Sequence, residues 1–172
     1  SIRRRVIRMN AAAGQGHTGA DLSEADILAA DPATLDGVLV AVNPAPERGL
    51  ATSLRLGLAA ATAGPCPDGV LILLGDQPSV RPATVTALLA AVPPPDAVAV
   101  VADHAGDHAP NPVLLLLPEG AAIVDQLDGD RGLGPLLAAR QERVLRVPVA
   151  GTNPDVDTPA QLVALERTVH AT

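Results

Sequence analysis

The sequence predicts an α/β fold, a three-layer arrangement around a mainly parallel sheet. Three observations carry that prediction. Short apolar runs such as Val70–Leu74 and Ala97–Ala102 are apolar on both faces, as strands buried in a parallel sheet must be. Segments of helical period lie between them, so strand and helix alternate along the chain. Glycine and proline punctuate the joins, and proline forbids a strand or helix from continuing through it.

In chain order, Gly37–Val42 reads as a buried strand closed by Asn43-Pro44. Leu50–Ala63 follows a helical period with Leu50, Leu54 and Leu58 on one face. Thr52 and Ser53 fall in its first turn, where amides and hydroxyls are free to meet a ligand. The strand 70–74 ends in Gly75-Asp76-Gln77-Pro78. A helix over 82–92 carries Val85, Leu88, Leu89 and Val92, and Pro93-Pro94-Pro95 stops it. A strand at 97–102 leads to the polar loop Asp103–Pro110. Strand 113–117, helix 119–127, helix 133–140, strand 144–149 and a last helix over 159–169 complete the order. Thr158 is a candidate N-cap for that helix, with Pro159 at its first position. No internal repeat or linker interrupts the pattern, so one domain over 1–172 is expected, with 1–36 atypical.

Composition narrows the class. Nearly half of the 172 residues are apolar, yet Phe, Tyr and Trp are absent, so the core is aliphatic. No apolar run reaches the roughly twenty residues of a membrane span. The arginine-rich Ser1–Asn10 lacks a following apolar stretch, so it does not read as a signal peptide. It also makes a poor buried strand, and a solvated arm is the expected state of Arg3, Arg4, Arg5 and Arg8. Cys66 is the sole cysteine, which rules out an intrachain disulfide, suits a cytoplasmic protein and reads as an incidental surface thiol. The net charge is −7 and all twelve basic residues are arginine. That balance argues against general nucleic-acid binding, which depends on neutralising phosphates. A monomer is expected.

The chemistry centres on Asp76. Ligands of open α/β sheets bind beyond the carboxyl ends of the strands, which is where the 70–74 strand delivers this carboxylate. Mg²⁺ prefers oxygen ligands and suits such a position, although an Asp there also serves as a plain turn cap. Asn153-Pro154-Asp155-Val156-Asp157 offers two more carboxylates, which point to one side of an extended segment. Asp155 or Asp157 could complete a cation site begun by Asp76; capping is the alternative. His104 and His108 stand four apart, a spacing that binds transition metals on a helix. Gly106 and Pro110 favour a loop with solvated histidines instead. Asp128 and Asp130 flank Gly129 at a helix start, where capping is the plain role.

Leu73-Leu74-Gly75-Asp76-Gln77-Pro78-Ser79-Val80 resembles the signature of the MobA-like nucleotidyltransferases, and within them the branch of molybdenum cofactor cytidylyltransferase. Four further segments agree in order: Glu47–Arg55, Asn111–Leu115, Gly129–Gly132 with Pro135–Leu137, and Asp155–Pro159. The resemblance covers roughly 38–167. It implies a Rossmann-like nucleotidyltransferase fold of the GT-A type. It also implies Mg²⁺-dependent transfer of a nucleoside monophosphate, CTP favoured, to a phosphorylated acceptor such as molybdopterin. Asp76 and Asp157 would then act as catalytic metal ligands, with Asp155 in reserve or behind them. Gly14, Gly16, Gly49, Thr52, Ser53 and Gly75 would meet the nucleotide, and Asn111, Asp130 and Arg131 the acceptor. The family's first motif, Leu-Ala-Ala-Gly-x-Ser/Gly-x-Arg-x-Gly followed by lysine, aligns with Ala11–Gly19. Here Thr18 stands in the arginine position and the chain has no lysine. A catalytically degenerate homologue that binds a nucleotide or partner protein is the alternative this departure raises.

Overall fold

In the computed structural model, the described residues are 4–9, 41–105, 110–158, 160, 161 and 163–165. Their five strands form one sheet: β1 (Arg4–Met9), β2 (Gly69–Leu74), β3 (Ala99–His104), β4 (Val113–Leu116) and β5 (Val144–Val149). The order across the sheet is β1-β2-β4-β3-β5. β1 is parallel to β2 and β3 to β5, while β4 runs against both β2 and β3. Four of the five strands therefore share one direction, and β4 alone is reversed.

The helices are α1 (Leu50–Thr62), α2 (Pro82–Ala90), α3 (Glu119–Val124) and α4 (Gly134–Ala138). They cover the sheet on both sides, and the alternation of side chains along each strand divides the core accordingly. Val70 and Ile72 of β2, Val101 of β3 and Leu115 of β4 meet Leu54 and Leu58 of α1, Ile123 and Val124 of α3, and Leu137 of α4. Leu71, Val100 and Leu114 face the opposite way, onto Leu88 of α2. Both layers are aliphatic, as the absence of aromatic residues requires.

Several expectations change. Residues 4–9 form a strand paired with β2 from Arg4↔Gly69 to Met9↔Leu74. The reading of this segment as a solvated arm is thus corrected. Its arginines alternate with apolar residues over part of its length. Such a pattern suits pairing with a strong apolar neighbour more than it suits isolation, and β2 supplies that neighbour. Ala41 and Val42 are not in a strand, and Val42 is 80% exposed; they lie beyond the sheet of described strands. Residues 37–40 are outside the described set, as are Gly14, Gly16, Thr18 and His108. The helix 82–92 stops at Ala90, and Ala91 is already extended at φ −61°, ψ 143°. Val92 is exposed instead of packed, because a residue before proline is pushed out of the helical region.

The strand expected at 97–102 is shifted to 99–104. His104 is therefore not a solvated loop residue. It pairs with Val149 of β5, is 4% exposed, and its Nδ1 lies 3.0 Å from the Gly151 carbonyl oxygen. Pairing with β5, which sequence periodicity does not reveal, extended the strand by two residues. Thr158 does cap the last helix: its Oγ1 accepts from the Gln161 amide at 3.3 Å. Residues 160, 161 and 163–165 are helical. Cys66 is exposed, as expected. Among the described residues no helix is long and apolar enough to cross a membrane.

Candidate functional site

The carboxyl end of β2 collects the site. Leu74 ends the strand, Gly75 and Asp76 turn outward into solvent, and Gln77 turns back to donate its amide to the Leu74 carbonyl at 3.4 Å. The 153–157 segment is pinned to this turn. The Val156 amide donates to the Asp76 carbonyl at 2.8 Å. Beneath that bond, Gln77 Nε2 donates to Asp155 Oδ1 at 2.7 Å and Asn153 Nδ2 donates to Gln77 Oε1 at 2.8 Å. Two segments far apart in sequence are thus joined by three hydrogen bonds.

Electrostatics mark the same place. The Asp76 carboxyl titrates above its ordinary value, chiefly because its surroundings partly desolvate it and then because Asp155 carries like charge nearby. A backbone hydrogen bond opposes the rise, and Asp157 adds a smaller upward push. Asp155, not Asp157, is therefore the carboxylate that weighs more on Asp76. Asp157 instead sits at the helix cap, where its amide donates to Gln161 Oε1 at 2.9 Å. Among the described residues no three His, Cys, Asp or Glu converge as a closed metal cage. An open pair of exposed carboxylates with mutual repulsion suits a hard cation that keeps positions free for phosphate oxygens.

The start of α1 belongs to the same end of the sheet. Only residues 63–68 join α1 to β2, so the helix runs back along the sheet and its first turn lies beside the carboxyl end of β2. Gly49 caps it at φ 92°, ψ 173°, a conformation essentially confined to glycine. A Cβ there would stand 2.3 Å from the Gly129 carbonyl carbon and 2.7 Å from the Asp130 nitrogen. The Ala51 amide donates to the Gly129 oxygen at 3.0 Å, and the Leu50 amide to Asp130 Oδ1 at 3.3 Å. The expectation that these first-turn amides are free is corrected: the 128–130 turn occupies two of them. The Thr52 and Ser53 hydroxyls accept from Asn43 Nδ2 at 2.8 and 2.9 Å. Arg55 holds the same turn from the next coil of the helix through the Leu127 and Asp125 carbonyls. Asp128 accepts the Gly129 amide at 3.0 Å within a turn and caps no helix, because α4 begins only at Gly134 with Leu133 before it; the expected helix start at 128–130 is corrected.

All described site residues expected from sequence thus lie at one end of the sheet. Gly75 and Asp76 end β2. Asn111 precedes β4, whose reversed direction brings its start to the end of β2, with Val113 opposite Ile72. Gly49, Thr52 and Ser53 open α1, and Asp130 with exposed Arg131 is bonded or adjacent to that opening. Three partners were missed: Asn43, Gln77 and Asn153. Each is an amide residue directly before a proline. Proline holds the preceding backbone extended, which gives a long amide side chain a fixed starting point. That pairing was the available signal.

The family model for the MobA-like NTP transferase domain matches residues 17–144. No curated protein matches the chain. Solved structures do. The homologue of Mycobacterium tuberculosis Rv0371c from Mycobacterium sp. strain JC1 is 27% identical at a TM-score of 0.55, over 69% of this chain and 58% of that one. Rv0371c from Mycobacterium tuberculosis H37Rv is 23% identical at a TM-score of 0.63, over 96% and 97% of the two chains. The same protein in complex with manganese is 21% identical at 0.64, over 96% and 99%. The last two likenesses speak to the fold. The match to the family's domain model reaches from residue 17 through the Asp76 strand, the α1 opening and the 128–132 turn, and on that ground the chain belongs to the MobA-like NTP transferase family.

Proposed function

We propose that the protein, as a single domain over 1–172, transfers a nucleoside monophosphate from a nucleoside triphosphate, CTP by preference, to a phosphorylated acceptor of the molybdopterin type. An acceptor phosphate oxygen forms a bond to the α-phosphorus, the bond from that phosphorus to the β-phosphate oxygen breaks, and pyrophosphate leaves. The observation that carries the reading is the meeting of Asp76 with the 153–157 segment at the carboxyl end of β2.

Asp76 and Asp155 would hold a divalent cation, Mg²⁺ in the cell, with Asp157 beside them. The raised titration of Asp76 supports this: partial burial is its main cause and like charge on Asp155 the next, and a bound cation would favour the ionised form against both. A related fold has been captured with manganese. The cation supplies charge neutralisation at the phosphates. Phosphoryl chemistry of this kind asks the protein chiefly for positioning and electrostatics. Gly49, Thr52, Ser53 and Gly75 face the nucleotide in this reading, with Gly14 and Gly16 near its phosphates. Asn111, Asp130 and Arg131 meet the acceptor, where the planar guanidinium of Arg131 suits a phosphate.

Calorimetric titration of CTP with and without Mg²⁺, followed by an assay of pyrophosphate release with a molybdopterin acceptor, tests the proposal. Metal-dependent binding and release are expected; no binding under either condition ends the enzyme reading. One observation favours a second reading. Thr18 replaces the family's phosphate-loop arginine and no lysine exists in the chain, so a nucleotide- or partner-binding homologue without turnover is the alternative. Binding of CTP without pyrophosphate release would select it.

A further inference from the structure

We propose that Gln77 and Asn153 form a polarised amide relay that holds Asp155 as an oxygen donor to the cation; the inference rests on the nucleotidyltransferase reading above. An ionised carboxylate only accepts hydrogen bonds, so the group 2.7 Å from Asp155 Oδ1 must be the amino end of Gln77. That choice turns Gln77 Oε1 toward residue 153, and Asn153 must answer with its own amino end, at 2.8 Å. The direction of both amides is therefore dictated from Asp155.

This arrangement leaves a buried acceptor unanswered. Asn153 Oδ1 is shut off from solvent and has no hydrogen-bond partner among the described residues. The two side chains are 2% and 4% exposed, so neither is a surface group that happens to touch a neighbour. Apolar residues of similar size would remove that penalty, and an orphaned buried acceptor is unfavourable. A pair kept for packing alone gains nothing from this polarity; a pair kept to present N–H to a carboxylate requires it. The proline after each residue restrains both backbones, and the Val156–Asp76 bond fixes the gap the relay spans. The relay engages one Asp155 oxygen and leaves the other for a cation. It also offsets the repulsion between Asp155 and Asp76 when no cation is present.

Gln77 and Asn153 are thus positioning residues, and metal affinity reports on them directly. The full chain is titrated with Mn²⁺ and free ion is followed by electron paramagnetic resonance, with melting in EDTA as the control on folding. Gln77→Met should weaken Mn²⁺ binding about 10- to 100-fold, the usual range for a partner that orients a metal ligand. Asn153→Leu should weaken it less, and the double variant should match Gln77→Met alone, because Asn153 acts only through Gln77. Wild-type Mn²⁺ affinity in Gln77→Met, or losses that add in the double variant, would overturn the relay and leave the enzyme reading standing. Should Gln77→Met not fold, Asn153→Leu decides: it keeps Gln77 and Asp155, and unchanged affinity in it overturns the proposal. A wild-type chain that takes up no Mn²⁺ with CTP present overturns the relay and the enzyme reading together.

Discussion

Gly49→Ala gives the sharpest test of how the α1 opening is built. The new Cβ has no room: it would meet the Gly129 carbonyl carbon at 2.3 Å, its oxygen at 2.5 Å and the Asp130 nitrogen at 2.7 Å. These are backbone atoms, so no side-chain rotation relieves the contact. At φ 92°, ψ 173° an L residue is also strained by about 1–3 kcal/mol. If the 128–130 turn retreats, the bonds from the Ala51 and Leu50 amides are lost, at about 1 kcal/mol each. The total is about 3–5 kcal/mol. A chain of 172 residues unfolds with an entropy of about 0.36 kcal/mol/K, so the melting temperature should fall by about 10 °C. Scanning calorimetry reads the shift, and under the proposed function the same variant should bind CTP more weakly, because the turn assigned to the nucleotide in that proposal has moved. A melting temperature within about 2 °C of wild type would refute the reasoning, since it would show that the turn yields freely.

The Asp76 carboxyl gives a pH prediction with a definite sign. Its folded-state titration is raised above the ordinary 3.8, so the folded state holds the proton more tightly and loses stability as pH climbs from 3.8 through the folded value. In EDTA, Asp76→Asn should therefore melt above wild type at neutral pH, and the gap should close on acidification; the opposite trend would make Asp76 a structural cap. Added Mg²⁺ should raise the melting temperature of wild type and not of Asp76→Asn. Asp155→Asn should weaken Mn²⁺ binding more than Asp157→Asn, since Asp155 has the stronger influence on Asp76; equal losses by calorimetry would count against that ranking. Thr18→Arg should tighten CTP binding by roughly 10- to 100-fold, the value of one charge-assisted contact of about 1.5–3 kcal/mol. No gain would show that the 14–19 segment is not a phosphate loop.

What the sequence determined by itself is what local chemistry and pattern can specify. The doubly apolar run at 70–74, closed by glycine and proline, could only be a buried strand that ends in a turn, and it presents Asp76 there. The helix at 50–62 follows from leucine spacing, and the Thr158 cap from its own side chain. The tertiary structure decided everything that depends on a partner distant along the chain. Residues 4–9 become a strand because β2 lies beside them. His104 is buried because β5 extends its strand. The amides at the start of α1 are occupied because residues 129 and 130 close on Gly49. Gln77 and Asn153, unremarked in the sequence, meet across 76 positions because the sheet returns the 153–157 segment to the end of β2. Periodicity and capping are set within a few residues of chain, whereas a hydrogen-bond partner across the sheet is chosen by the burial of the whole aliphatic core.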